Sequence, residues 1–223
     1  MSQIETLMAR DGHTFQVYIA PPPPRPRGAV LVVQEIFGLT RSIRDAADRF
    51  AADGYLAMAP ALFDRIHRAL VLGYSAAEVE QARGYRAQIS NAQAVLDIGA
   101  AAAVARHAGK IALVGYCWGA RLAWVAAAQT AFAAAVCYYG AGIPDELPQV
   151  PACPTLLHFG EQDQSIPRSQ IEQLRAAYPQ GSYELYPAAG HGFANSERPA
   201  VYNAAAADLA LARTQAFLAQ HVG

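Results

Sequence analysis

Residues 111–129 constrain the fold of this chain more than any other stretch. Ile111–Val114 is a short apolar run, Gly115-Tyr116-Cys117-Trp118-Gly119 follows, and Trp118–Gln129 has the composition of a helix. A strand that passes into a helix through Gly-x-Cys-x-Gly must turn sharply and present its central side chain at the apex. Bulky residues two positions either side of the apex would collide with neighbouring backbone, and glycine avoids that clash. The helix that follows directs its N-terminal N–H groups and positive dipole end toward Cys117, which favours thiolate.

The rest of the chain repeats this alternation. Strands are predicted at Thr14–Ile19, Ala29–Val33, Tyr55–Ala59, Ala133–Tyr138, Thr155–Phe159 and Tyr183–Tyr186. The uninterrupted apolar run Ala29–Val33 has the character of a central strand covered on both faces. Helices are predicted at Arg41–Ala52, Arg168–Ala177 and Asn203–Gln220, with two more between Ser75 and His107 that break near Ser90. Ser75 and Glu78 have the spacing of a capping box. Pro21–Pro26 is a stiff connector. No internal repeat or linker divides the chain, so one α/β domain over residues 1–223 is expected, with a mostly parallel sheet flanked by helices.

Composition narrows the function. Lys+Arg (17) and Asp+Glu (18) leave a net charge of -1, which argues against a nucleic-acid partner. Leu122–Tyr139 has no charged side chain but is mostly alanine, and a buried helix followed by a buried strand fits it better than a membrane span. The first twelve residues hold no apolar signal segment, and three cysteines cannot all pair. A cytoplasmic setting is therefore expected. No His/Cys/Asp cluster has ligand spacing, so neither a metal nor a cofactor is expected.

A cysteine at such a turn needs a base, and the base needs an orienting group. After Cys117 the sequence offers Gly160-Glu161-Gln162-Asp163, past one predicted strand, and Ala189-Gly190-His191-Gly192-Phe193, past another. Sites of open parallel sheets lie at these strand ends. His191 would exchange a proton with Cys117, and Asp163 would orient the imidazole, with Glu161 as the alternative acid. His13, His107, His158 and His221 lie in a terminus, a helix end, a strand and the tail, and His67 precedes the nucleophile. Cys137, within an apolar strand, and Cys153, before Pro154, read as structural.

Together these segments resemble the dienelactone hydrolase family of cysteine-nucleophile α/β-hydrolases. The resemblance rests on Gln34-Glu35-Ile36-Phe37-Gly38, Gly115–Gly119, Tyr138-Tyr139-Gly140, Gly160–Asp163 and Gly190–Phe193, and covers nearly the whole chain. It implies a Cys117–His191–Asp163 triad that hydrolyses a small carboxylic ester or lactone through an acyl-thioester. It further implies that Glu35 contacts the resting thiol and helps form thiolate, and that the backbone N–H groups of Ile36 and Trp118 make the oxyanion hole. Arg65 matches the family arginine that pairs with the glutamate and binds a substrate carboxylate. The dienelactone-cleaving pattern has a second arginine four residues after the histidine, where this chain has Asn195. Arg198 is the nearby candidate to replace it.

That departure keeps a second substrate class open, an uncharged aryl or alkyl ester with promiscuous phosphotriesterase activity. Phe37, Phe63, Tyr85 and Trp118 are candidate apolar lining for it, or core residues. A non-catalytic ligand-binding protein is the reading that the complete constellation argues against. The expected partner is a small-molecule ester or lactone, with no membrane, and the expected state is a monomer.

Overall fold

The computed structural model describes residues 1–223, which divide into two compact units, Met1–Ile111 and Ala112–Gly223. The first carries β1 (Gln3–Met8), β2 (Thr14–Ile19), β3 (Ala29–Val33), α1 (Arg41–Ala52), β4 (Leu56–Pro60), α2 (Ala76–Ala87) and α3 (Asn91–Ala105). Its strand order is β1-β2-β4-β3, and β3 and β4 run parallel with Ala29 opposite Leu56. Every residue of β3 is buried, because α1 and α3 both pack on it. Helix α1 turns Ile43, Ala47, Phe50 and Ala51 inward, the spacing of one helical face. Helix α2 opens with the Ser75–Glu78 capping box, and a second box at Ser90 and Gln93 opens α3 where the break is expected.

The sequence reading has no strand at β1. It has no buried face, and five of its six residues are exposed. It is held by its antiparallel ladder with β2, from Gln3 opposite Ile19 to Met8 opposite Thr14. Hydrogen bonding to a neighbour leaves no hydrophobic period to read.

The second unit carries β5 (Ile111–Tyr116), α4 (Trp118–Gln129), β6 (Ala134–Tyr138), β7 (Thr155–Gly160), α5 (Arg168–Ala177), β8 (Ser182–Tyr186) and α6 (Ala204–His221). Strands β5 to β8 pair in chain order and all run parallel. Mostly parallel strands alternating with helices make this an α/β fold, as the sequence predicts. Helix α4 packs on β6 and buries nine of its twelve residues, which explains why it carries no charge after Arg121. No helix of the protein is long and apolar enough to cross a membrane.

A buried polar group fastens this unit's strands to α6. His158 on β7 meets the Tyr186 hydroxyl through Nδ1 at 2.8 Å and Thr214 Oγ1 through Nε2 at 3.0 Å. Tyr138 reaches the same Thr214 oxygen at 2.7 Å. Burial, with help from Arg213, pushes the His158 imidazole down to about 3, so it stays neutral within its hydrogen bonds.

Candidate active site

The turn after β5 is strained. Cys117 sits at φ 54, ψ -115, outside the regions a side chain ordinarily adopts. Its N–H donates to the Tyr138 carbonyl at 2.9 Å, which fixes the apex against the end of β6. A Cβ added at Gly115 would strike the Gly119 carbonyl oxygen and come within 2.6 Å of the Ala120 nitrogen. That contact is the physical reason for glycine two residues before the apex.

Three loops of the second unit converge on this apex. His191, in the loop after β8, places Nε2 3.1 Å from Cys117 Sγ and Nδ1 2.8 Å from Asp163 Oδ2. The Asp163 side chain is fully buried, and its other oxygen accepts the Ser165 N–H at 2.8 Å. Glu161, the alternative acid, is exposed. The acid and histidine loops also hold each other: the Gln162 N–H donates to the Ala189 carbonyl at 2.9 Å. A Cβ at Gly160 would lie 2.7 Å from the Ala189 carbonyl carbon, so glycine is required there too. Phe193 is fully buried against Tyr138, Tyr139 and Tyr186, anchoring the far side of the histidine loop.

The electrostatics suit a nucleophile–base pair. Burial, the largest single influence on His191, pushes its imidazole down. The Cys117 sulfur and the Asp163 carboxylate together outweigh it, and His191 is pushed up to about 10. The geometry therefore favours a protonated imidazole bridging the sulfur and the carboxylate. In Cys117→Ala the sulfur's share is gone, so His191 should titrate at lower pH than in wild type. NMR titration of the imidazole nitrogens checks this, and an unmoved midpoint would contradict it.

Glu35, Ile36, Phe37, Arg65 and Tyr85 lie in the first unit. Glu35 follows β3 and is 2% exposed, an unusual depth for a carboxylate. Its neighbour Gln34 is wholly buried, donating to the Glu35 carbonyl and accepting the Leu62 N–H. Phe37 packs with Leu72 and Ala82, against which Ile36, Tyr74 and Tyr85 also rest, and Tyr85 additionally meets Phe63. These aromatic rings contribute to an apolar cluster of the unit.

Arg65 is paired with two carboxylates of its own unit. Its Nε and Nη2 form a two-pronged contact with the Asp97 carboxylate at 2.8 and 2.7 Å, and Nη1 reaches Asp11 at 2.8 Å. The guanidinium thus bridges two carboxylates of its own unit. The Leu-Phe-Asp-Arg motif identifies a position but not its partner: Asp97 arrives from the buried face of α3, thirty-two residues later. Burial pushes the Asp97 carboxyl up and Arg65 pulls it down, so the pair contributes little net stability. Removing the cation alone is another matter. Arg65→Ala should destabilise the protein by about 3–5 kcal/mol, because Asp97 is left buried without it. Urea unfolding measures this, and a stable variant with selective loss of activity on anionic esters would restore the original expectation.

Asn195 is 1% exposed, and its side-chain oxygen accepts the Glu197 N–H at 3.0 Å, which shapes the turn after the histidine. Arg198, half-buried, lies over Gly192: a Cβ there would be 2.9 Å from its Nη1. The two other cysteines are buried, and burial pushes both thiols up. The sequence reading names Tyr139 only within a motif, but the structure sets its ring against His191, at 5.2 Å between centroids. The signal is a positive φ at a strand end, which composition does not reveal.

The chain is similar to known proteins along most of its length. The profile described as "Dienelactone hydrolase family" matches residues 15–222. Carboxymethylenebutenolidase from Pseudomonas putida is 35% identical over 224 residues, covering 96% of this chain and 94% of that protein. The enzyme of the same name from Pseudomonas knackmussii matches equally, at 35% identity over 224 residues. Among solved structures, one described as a dienelactone hydrolase from Klebsiella pneumoniae superposes with a TM-score of 0.84 at 29% identity, covering 99% of this chain and 98% of that one. A dienelactone hydrolase-like promiscuous phosphotriesterase from metagenomic libraries shares the fold, with a TM-score of 0.78 at 18% identity over 100% of this chain and 99% of its own. The chain belongs to the dienelactone hydrolase family, and by that membership it is an α/β hydrolase of the carboxylic ester class.

Proposed function

We propose that this protein hydrolyses a small carboxylic ester or lactone through an acyl-thioester on Cys117. The observation that carries the reading is the single imidazole of His191 spanning Cys117 Sγ at 3.1 Å and Asp163 Oδ2 at 2.8 Å. The thiolate sulfur attacks the carbonyl carbon, and the resulting tetrahedral oxyanion collapses with loss of the alcohol oxygen. His191 gives its proton to that leaving oxygen. It then takes a proton from water, whose oxygen attacks the thioester carbon and expels the Cys117 thiolate with the acid as product. Asp163 holds the imidazole in the tautomer that presents Nε2 and stabilises its charged form. The Trp118 backbone N–H takes the role the family pattern implies for it, an oxyanion donor.

One finding favours an uncharged substrate over the carboxylate-bearing lactone. Position 195 is asparagine where the dienelactone-cleaving pattern has its second arginine, and Arg65, matched to the first, is already paired with Asp97 and Asp11. Asparagine cannot supply a charge-assisted contact. The expected result is a higher kcat/KM for a neutral aryl acetate than for cis-dienelactone on one preparation. The reverse order would mean that another cation, Arg198 first, recognises the carboxylate.

A further inference from the structure

The segment Tyr138-Tyr139-Gly140 has a sequence signature that the triad does not explain. Tyr138 is accounted for by its carbonyl, which accepts the Cys117 N–H, and by its hydroxyl, which meets Thr214. Tyr139 is 1% exposed and has φ 39, in the left-handed region that a bulky side chain adopts at a cost. The backbone holds it there at both ends: its N–H donates to the His158 carbonyl at 2.8 Å, and its carbonyl accepts the Ala141 N–H at 3.0 Å. Strain maintained by the surrounding structure invites a functional explanation.

What the strained backbone achieves is the position of the ring. Tyr139 stands edge-to-face to His191, 5.2 Å between centroids with 62° between planes, and Phe193 closes on its other side at 5.4 Å. That is a preferred geometry for two aromatic rings. We propose that Tyr139 is a positioning residue for His191, its ring holding the imidazole in the one orientation that addresses both Asp163 and the reacting atoms.

The need is greatest midway through the reaction. With free enzyme, His191 is held at both nitrogens. Once Cys117 is acylated its sulfur no longer bonds Nε2, and the Asp163 contact alone leaves the ring able to swing about that bond. The Tyr139 ring blocks the swing, so Nε2 stays directed at the incoming water. This inference rests on the proposed triad, but its test uses no ester substrate.

Alkylating Cys117 with iodoacetamide reports the first state and leaves a thioether that imitates the second. The buried Cys137 and Cys153 do not compete. Tyr139→Phe, which keeps the ring, should alkylate at the wild-type rate and pH midpoint. Tyr139→Gly removes the ring and relieves the strain, and Tyr139→Asn also tolerates the left-handed backbone, which guards against a misfolded first variant. Both should react at least fivefold more slowly near neutral pH, with the midpoint moved upward, when assayed at a temperature where circular dichroism shows each variant folded, since losing a buried ring lowers thermal stability. In alkylated protein the downfield Nδ1 proton of His191 should persist in wild type and Tyr139→Phe and broaden beyond detection in the other two. Wild-type rate, midpoint and proton signal in Tyr139→Gly or Tyr139→Asn would overturn the proposal. So would equal losses in Tyr139→Phe, which would move the role to the hydroxyl. A failure of ester hydrolysis by the wild-type protein would leave these readouts standing and fall on the proposed function alone.

Discussion

Cys117→Ala is expected to reduce kcat by on the order of 10⁴- to 10⁶-fold while the protein remains folded. The size follows from the route: without the sulfur there is no acyl-enzyme, and the uncatalysed attack of water must carry the whole barrier. No other side chain can substitute. Cys137 is fully buried, donates to the Ala120 carbonyl at 3.4 Å and has its thiol pushed up by burial. Cys153 is likewise buried with its thiol raised. Residual turnover should therefore reflect substrate binding and oxyanion contacts alone. Steady-state kinetics beside circular dichroism checks the prediction, and a folded Cys117→Ala protein with near wild-type kcat would remove the triad.

The second large effect comes from a residue with no reactive group. Gly115→Ala places a methyl against the Gly119 carbonyl oxygen and 2.6 Å from the Ala120 nitrogen, both in the first turn of α4. These are backbone atoms, so relief requires β5 and α4 to move apart at the point that carries Cys117. A displacement of about 1 Å at a nucleophile costs about 10²-fold in rate. Overpacking of this kind also costs about 1–3 kcal/mol of stability. The two losses can be separated: kcat/KM should stay depressed under conditions where denaturant unfolding shows the variant fully folded. A folded Gly115→Ala enzyme with unchanged kcat/KM would show that the apex does not depend on the tight approach.

Much of this was legible in the residues because the features have local causes. The strand–glycine–cysteine–glycine–helix run dictates a sharp apex wherever it occurs, and the structure has one at Cys117. The loops bearing Asp163 and His191 could be placed because each follows a short predicted strand, and parallel strands bring their ends to one side. What escaped the sequence depends on partners distant in the chain. Strand β1 has no hydrophobic period, since hydrogen bonds to β2 rather than burial hold it. The partner of Arg65 is not legible because Asp97 reaches it from the middle of α3, where an aspartate among alanines gives no hint of an ion pair. Tyr139 was visible only as part of a motif, since a left-handed dihedral at a tyrosine is set by the loop closing around it.

The central claim is that Cys117 becomes covalently acylated during turnover, and the most direct test is mass spectrometry of enzyme quenched in acid during hydrolysis of an aryl acetate. The account predicts an acetyl mass increment on the peptide containing Cys117, chased away on further incubation and absent from Cys117→Ala. Sustained turnover with no adduct at Cys117 at any quench time, together with an adduct elsewhere or an active Cys117→Ala protein, would contradict it.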